Sequence, residues 1–290
     1  MSFQSFWFRI NAGRSDRKRD SAIALPEGIT ECRNISYGSH GKWNLLDVYC
    51  PLGTSASLPT IVSIHGGGYV YGTKEVYRRY CMDLASRGFA VVNFNYRLAP
   101  QWKFPTPLVD TNAVMEWVCR NAQTYHLDPR RLFLVGDSAG AQIASQYAAI
   151  ATNPAYSALF DFTVPEISIQ ALGLNCGIYD AAALAAGKQF FIVKEYLGKH
   201  FPLSDLRLQV LGHITADYPA AHITTACCDF LRDHARPMAD FLRSKGIRVT
   251  MSCYGKDSEK QIGHVFHVNL ALPEARKCND DQCAFFRSCL

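Results

Sequence analysis

Gly136-Asp137-Ser138-Ala139-Gly140 is the stretch of this chain whose residue types and spacing point most directly to chemistry. The apolar run Arg131-Leu132-Phe133-Leu134-Val135 precedes it, and the helix-compatible Ala141–Ala149 follows. A strand, a tight turn and a helix with serine at the apex form a nucleophile elbow. Glycines lacking Cβ let strand and helix approach closely while the serine backbone is strained. The hydroxyl then stands over the end of a sheet, and the Ala139 N–H faces any oxygen of a bound acyl group. Serine hydrolysis is the implied chemistry. The five-residue pattern also arises by chance, so the reading requires a base, an acid and further oxyanion donors elsewhere in the chain.

His65-Gly66-Gly67-Gly68 directly follows the strand-like Thr60–Ile64. Successive glycines leave backbone N–H groups unobstructed, as in the oxyanion loops of lipases and esterases. Gly67 and Gly68, joined by Ala139, are the expected donors to the negative charge of a tetrahedral intermediate. A phosphate cradle is the competing reading, but Tyr69-Val70-Tyr71 follows where a Gly-Lys-Ser/Thr would be needed. His65 is assigned a hydrogen-bonding role inside the loop. Downstream, Asp229 follows the strand-like His222–Ala226 and is the expected acid, whereas Asp233 suits a helix start, where a negative charge meets the helix dipole. Gly263-His264-Val265-Phe266-His267 offers two candidate bases. His264 lies in the loop and is assigned as base, taking the serine proton and returning it to the leaving alcohol. His267 falls where packing or capping suffices.

These residues need a scaffold. Continuous apolar strands at Thr60–Ile64, Phe89–Phe94, Leu132–Val135, Ile167–Leu174, His222–Ala226 and Ile247–Cys253 alternate with helix-like segments at Glu75–Ser86, Leu108–Asn121, Ala235–Ser244 and Leu272–Arg287. Unalternating strands separated by helices predict an α/β fold whose mostly parallel sheet is covered on both faces. Glu31–Tyr37 and Leu45–Tyr49 read as a strand pair. The segment Tyr179–Pro219 breaks the rhythm with a helix over Ala181–Leu197 and then an irregular stretch. With the N-terminal residues it is expected to form a small cap, drawn from about 1–30 and 180–218 of a single domain, 1–290. Phe3, Phe6, Trp7 and Ile10 recur at helical spacing and predict an apolar face packed on the rest of the chain. Arg14–Arg19 is basic and reads as a solvated face.

The 290 residues suffice for one α/β domain, and 48% hydrophobic with 19% charged residues excludes a disordered chain. A net charge of +5 is mild, and no basic surface with aromatic platforms supports nucleic-acid binding. No apolar run reaches about 18 residues, the length of a membrane span. The N-terminus lacks the features of a signal peptide and reads as mature protein. Eleven cysteines match no paired zinc spacing and are expected as reduced thiols in the cytoplasm, mostly as small core residues. Neither a metal nor a cofactor is expected.

Taken together, His65-Gly66-Gly67-Gly68, Asn95-Tyr96-Arg97-Leu98-Ala99-Pro100, Gly136–Gly140, Asp229-Phe230-Leu231-Arg232-Asp233 and His264-Val265-Phe266 resemble the hormone-sensitive-lipase-type esterase family over roughly residues 45–285. The resemblance implies an α/β-hydrolase fold with a helical cap and carboxylic ester hydrolysis through an acyl-serine. It also implies Ser138, Asp229 and His264 as the triad, and Gly67, Gly68 and Ala139 as oxyanion donors. The order Ser138, Asp229, His264 is that of α/β-hydrolases. Two positions depart: Val265 stands where the family has glycine, and Phe230 where it has proline. Arg97 is expected to anchor a loop. The substrate is expected to be a small short-acyl ester, an acetyl ester of a sugar or other alcohol among them. The modest cap argues for this, as do bulky Tyr69, Tyr71, Trp102 and Phe104 in loops near the site. An amidase or peptidase using the same triad, or a non-catalytic ligand receptor on the same fold, are the alternatives. Ester-against-anilide assays and fluorophosphonate labelling discriminate them. The C-terminal helix and an edge strand leave a homodimer open.

Overall fold

Alternate residues along each central strand belong to different faces of one sheet, and the helices divide accordingly. The computed structural model describes residues 2–21, 23–187 and 191–290. The strands are β1 (Ile29–Ser36), β2 (Leu45–Pro51), β3 (Leu58–Ile64), β4 (Ala90–Phe94), β5 (Leu127–Asp137), β6 (Ile169–Asn175), β7 (Ala220–Ala226) and β8 (Val249–Tyr254). The longer helices are α1 (Phe3–Ser21), α2 (Lys74–Ala85), α3 (Thr106–Asn121), α4 (Ala139–Thr152), α9 (Ala235–Ser244) and α10 (Pro273–Arg287). Short helices α5 (Pro154–Ser157), α6 (Ala181–Ala186), α7 (Phe191–Leu197) and α8 (Val210–His213) lie between α4 and β7.

Among the described residues the sheet has eight strands in the order β1-β2-β4-β3-β5-β6-β7-β8. From β4 onward the pairings are parallel, and β1 and β2 are antiparallel to their neighbours. On one face Val62, Ile64, Leu132, Leu134, Leu172 and Ile223 meet α3, α4 and α9. On the other, Ile61, Val91, Phe133 and Val135 meet α2 and α10, with Phe286 stacked on Phe133 at 4.5 Å between ring centroids. Parallel strands joined by helices bring their C-terminal ends to one edge, where loops from β3, β5, β7 and β8 converge. This doubly covered sheet is the predicted α/β-hydrolase architecture.

Two local readings need correction. Phe3, Phe6 and Trp7 do lie on one face of α1, but that face is turned to solvent, the three residues being 74%, 46% and 43% exposed. The helix is held by its opposite face instead. Phe8 sits edge-on to Tyr71 at 6.3 Å, Arg9 donates to the Val70 and Ala99 carbonyls, and Arg19 donates to the Val76 carbonyl. Apolar spacing found a face; hydrogen-bonding partners for Arg9 and Arg19 decided which face turned inward. The helix predicted over Ala181–Leu197 is represented by α6 and α7, with 188–190 outside the described residues, as are Met1 and Ala22 of the N-terminal segment. The cysteines divide into five buried (Cys50, Cys81, Cys176, Cys278, Cys283), five partly buried and one exposed, Cys253, so burial accounts for fewer than half. None of the helices among the described residues is long and apolar enough to cross a membrane.

Candidate active site

Ser138 sits between β5 and α4 with φ 53° and ψ −117°, a conformation that L-residues rarely adopt. Strand and helix tolerate this corner because the motif glycines leave no side chain in the way. A Cβ on Gly136 would fall on the Gly140 carbonyl, and a Cβ on Gly140 on the Ile64 carbonyl. The Ser138 N–H is anchored to the Asn175 carbonyl of neighbouring β6 at 2.9 Å.

His264 Nε2 lies 3.1 Å from Ser138 Oγ, and its Nδ1 lies 2.7 Å from Asp229 Oδ1. The carboxylate holds the proton on Nδ1, so the Nε2 lone pair is free to accept from the serine hydroxyl. Asp229 is fixed in turn. Its Oδ1 accepts from the Leu231 N–H at 2.9 Å and its Oδ2 from Thr225 Oγ1 at 2.9 Å. Burial opposes its ionisation, yet the hydrogen bond and charge of His264, the Leu231 amide and the Cys176 thiol hold the carboxyl below its usual range. A bridge between Cys228 and Gly263 ties the loop carrying Asp229 to the loop carrying His264. Phe230 packs on the imidazole at 4.2 Å.

The structure thus brings together Ser138, Asp229 and His264 and leaves the competing residues outside. His267 is buried and edge-on to Tyr80. His65 stacks on Tyr96 at 4.1 Å, and its Nδ1 lies 2.8 Å from the Gly66 carbonyl. Asp233 is exposed in a short 3-10 turn. Arg97 makes a two-pronged ion pair with Asp110, a loop anchor. Gly67, Gly68 and Ala139 border the same cavity as Ser138 and His264. Among the described residues their N–H groups donate to no backbone acceptor in the turns and loops. Gly67 has φ +113°, and a Cβ there would fall on the Tyr71 carbonyl, so the loop needs glycine.

The cavity has a volume of about 370 Å³. Phe8, Asp16 and Arg19 of α1 form one wall, and Ile192 and Val193 of α7 another. Tyr69 and Tyr71 border it as expected, but Trp102 and Phe104 do not. Trp102 packs on Trp43, and Phe104 lies in a cluster with Phe160, Tyr196 and Phe201, because the loop after β4 turns away from the serine. Val265 adopts the left-handed conformation, φ 53° and ψ 32°, at the position where glycine was expected. A β-branched residue there carries strain of order 1–2 kcal/mol. Phe230, in place of proline, is the exposed side chain that covers His264.

One buried assembly carried no signal in the sequence. Asp137 Oδ2 accepts from Tyr77 Oη at 2.7 Å, and Tyr77 Oη accepts from the Gly66 N–H at 3.1 Å. The residue beside the serine is therefore linked to the glycine loop through a tyrosine on α2. Burial pushes the Asp137 carboxyl up to about 6. Tyr77 could not have been singled out, since its partners lie 11 and 60 residues away.

Buried titratable groups make a prediction about pH. Burial drives His65 and His222 down to about 4 and His267 to about 3, from 6.5. Among the described residues, His222 and His267 have no hydrogen-bond partner for either ring nitrogen. Below pH 6.5 the unfolded chain binds protons at these sites that the folded chain refuses, so stability falls as pH falls toward 4. Asp137 acts oppositely. Its folded form holds a proton more tightly, adding stability as pH falls from about 6 toward 3.8. Three histidines outweigh one carboxyl, and a net loss of about 5 kcal/mol between pH 7.5 and 5 is expected from chemical denaturation. Unchanged stability over that range would contradict the neutral buried histidines.

Comparison with known proteins yields a consistent set. Residues 61–268 match the family model described as alpha/beta hydrolase fold. Carboxylesterase NlhH of Mycobacterium tuberculosis is 29% identical over 266 residues, covering 86% of this chain and 78% of that protein. Ethyl acetate hydrolase of Pseudomonas putida is 28% identical over 66% of this chain and 62% of its own length. Among solved structures, Esterase B from Lactobacillus rhamnosis superposes with a TM-score of 0.89 at 24% identity, covering 99% of this chain and 93% of that one.

Proposed function

The chain belongs to the alpha/beta hydrolase fold family, as a carboxylesterase of the hormone-sensitive-lipase type, and from that premise we propose that it cleaves small short-chain acyl esters through an acyl-serine at Ser138. The observation that carries this reading is the hydrogen-bonded series Ser138, His264, Asp229 at the wall of a cavity of about 370 Å³. That volume lies at the low end for small-molecule sites, and the lining is mostly apolar. Acetyl esters are the smallest members of the proposed class, and the similarity to an ethyl acetate hydrolase supports them.

In the proposed mechanism Ser138 Oγ attacks the acyl carbon as His264 Nε2 takes its proton. Asp229 stabilises the imidazolium that forms. The carbonyl oxygen becomes an oxyanion facing the N–H groups of Gly67, Gly68 and Ala139. Collapse expels the alcohol, which takes the proton from His264 and leaves the acyl-serine. Water repeats the sequence, with His264 as base, to release the acid and restore Ser138. We also read α1 and the segment 180–218 as a cap, supported by Phe8, Asp16, Ile192 and Val193 in the cavity wall. A cytoplasmic setting is part of the same reading, supported by the free thiols.

Chain-length profiling tests the substrate class. Hydrolysis of p-nitrophenyl acetate and butyrate is expected well above that of the palmitate in kcat/KM. A preference for palmitate would sink the short-chain reading. Gly67→Ala tests the oxyanion loop. The added Cβ displaces the backbone from Tyr71, and removing one donor lowers kcat by about 10²–10³. Normal turnover by this variant would remove Gly67 from the hole.

A further inference from the structure

The least expected feature of the surface is the outer side of α1. At 100° per residue, Phe3, Phe6, Trp7, Ile10, Arg14, Arg17 and Lys18 fall within one arc of about 120°. Phe3, Phe6 and Trp7 are exposed, and so are Arg14, Arg17 and Lys18. The two acids of the helix are drawn away from this arc. Asp16 accepts from Tyr71 Oη at 2.7 Å and pairs with Arg19 at 2.9 Å, and Asp20 pairs with Arg19 at 2.7 Å. The outward stripe therefore holds aromatic side chains at its N-terminal end, cations at its C-terminal end and no anion. Three more exposed lysines, Lys103, Lys194 and Lys199, border a groove shared with Ser2 and Gln4 beside the aromatic end.

We propose that the outer face of α1 docks on an anionic lipid surface. Bulky aromatics prefer the boundary between headgroups and acyl chains, and a helix with these beside cations lies in the plane of that boundary. The charge sorting selects this occupant, since a neutral apolar partner would gain nothing from Arg14, Arg17 and Lys18. The opposite face of the same helix lines the cavity through Phe8, Asp16 and Arg19. Docking would thus set the enzyme's own cap helix against the surface, and the site behind it would draw on esters held at that surface. The inference does not depend on the catalytic assignment, because binding is measured without an ester.

Cosedimentation with vesicles tests it. The protein is expected to sediment with vesicles of equal parts phosphatidylserine and phosphatidylcholine, weakly with phosphatidylcholine alone, and to be released by salt. Each cation strengthens such binding about fivefold, so the triple variant Arg14→Glu, Arg17→Glu, Lys18→Glu should bind at least about a hundredfold more weakly. Phe3→Ser with Trp7→Ser should also lose binding, while Lys245→Glu, at the exposed position just after α9, should not. Melting midpoints close to that of the parent protein verify that the variants are folded. No sedimentation of the parent protein with the charged vesicles, equal binding to both compositions, or unimpaired binding by the charge-reversed variant would each overturn the proposal. So would a dimer in sedimentation velocity that the same substitutions dissociate without any vesicle binding, which would assign the face to a second copy of the chain.

Discussion

Ser138→Ala is expected to lower kcat on p-nitrophenyl butyrate by about a million-fold and to abolish fluorophosphonate labelling, with the fold intact. The magnitude follows from the geometry. Ser138 Oγ is the atom that His264 Nε2 approaches at 3.1 Å, and the glycine loop and Ala139 border the same cavity. Without the hydroxyl no acyl-enzyme can form, and only the binding and oxyanion contributions remain. Alanine suits the corner sterically, since the strained backbone is held by the Asn175 carbonyl and by the glycines on either side rather than by the hydroxyl. Labelling that survives the substitution would place the nucleophile elsewhere. Failure of the unmodified protein to label would favour a ligand receptor on the same fold.

The second large effect separates two histidines only three positions apart. His264→Ala is expected to cost about as much in kcat as loss of the serine, because in the proposed mechanism the two act as a unit. His267→Phe should leave kcat within a few-fold. His267 has no hydrogen-bond partner among the described residues, and burial drives it down to about 3, so it stays neutral wherever the enzyme works. Its replacement should show instead in stability, by reducing the loss in acid as one buried histidine no longer refuses a proton. Steady-state kinetics together with denaturation at pH 7.5 and 5 reads both variants. An active His264→Ala alongside an inactive His267→Phe would reverse the assignment.

These contrasts show where sequence reasoning ran out. Asp229 and His264 could be ranked above Asp233 and His267 because loops that follow strand ends reach the edge of a parallel sheet, whereas helix starts point away. Trp102 and Phe104 were placed near the site by adjacency in sequence, but the path of the loop after β4 carried them into other clusters. For α1 the periodicity identified a face, and the burial was inverted. Spacing reports which side chains share a face. It does not report what lies opposite, and the carbonyls of Val70, Val76 and Ala99 are contributed by segments far along the chain.

The amino-acid sequence by itself determined the alternation of buried strands and helices, the glycine positions that a strained serine and an open backbone loop require, and the order of Ser138, Asp229 and His264 along the chain. All of these follow from local rules: side-chain periodicity, absence of a Cβ, and the direction of parallel strands. Only the tertiary structure decided which histidine meets the serine and how Tyr77 joins Asp137 to the glycine loop. It also decided that the Val265 backbone is left-handed and that the aromatic side of α1 faces outward. The histidine, Tyr77 and α1 outcomes depend on atoms brought within about 3 Å from distant parts of the chain, or on competition between two faces for one set of partners, and neither leaves a mark in local spacing.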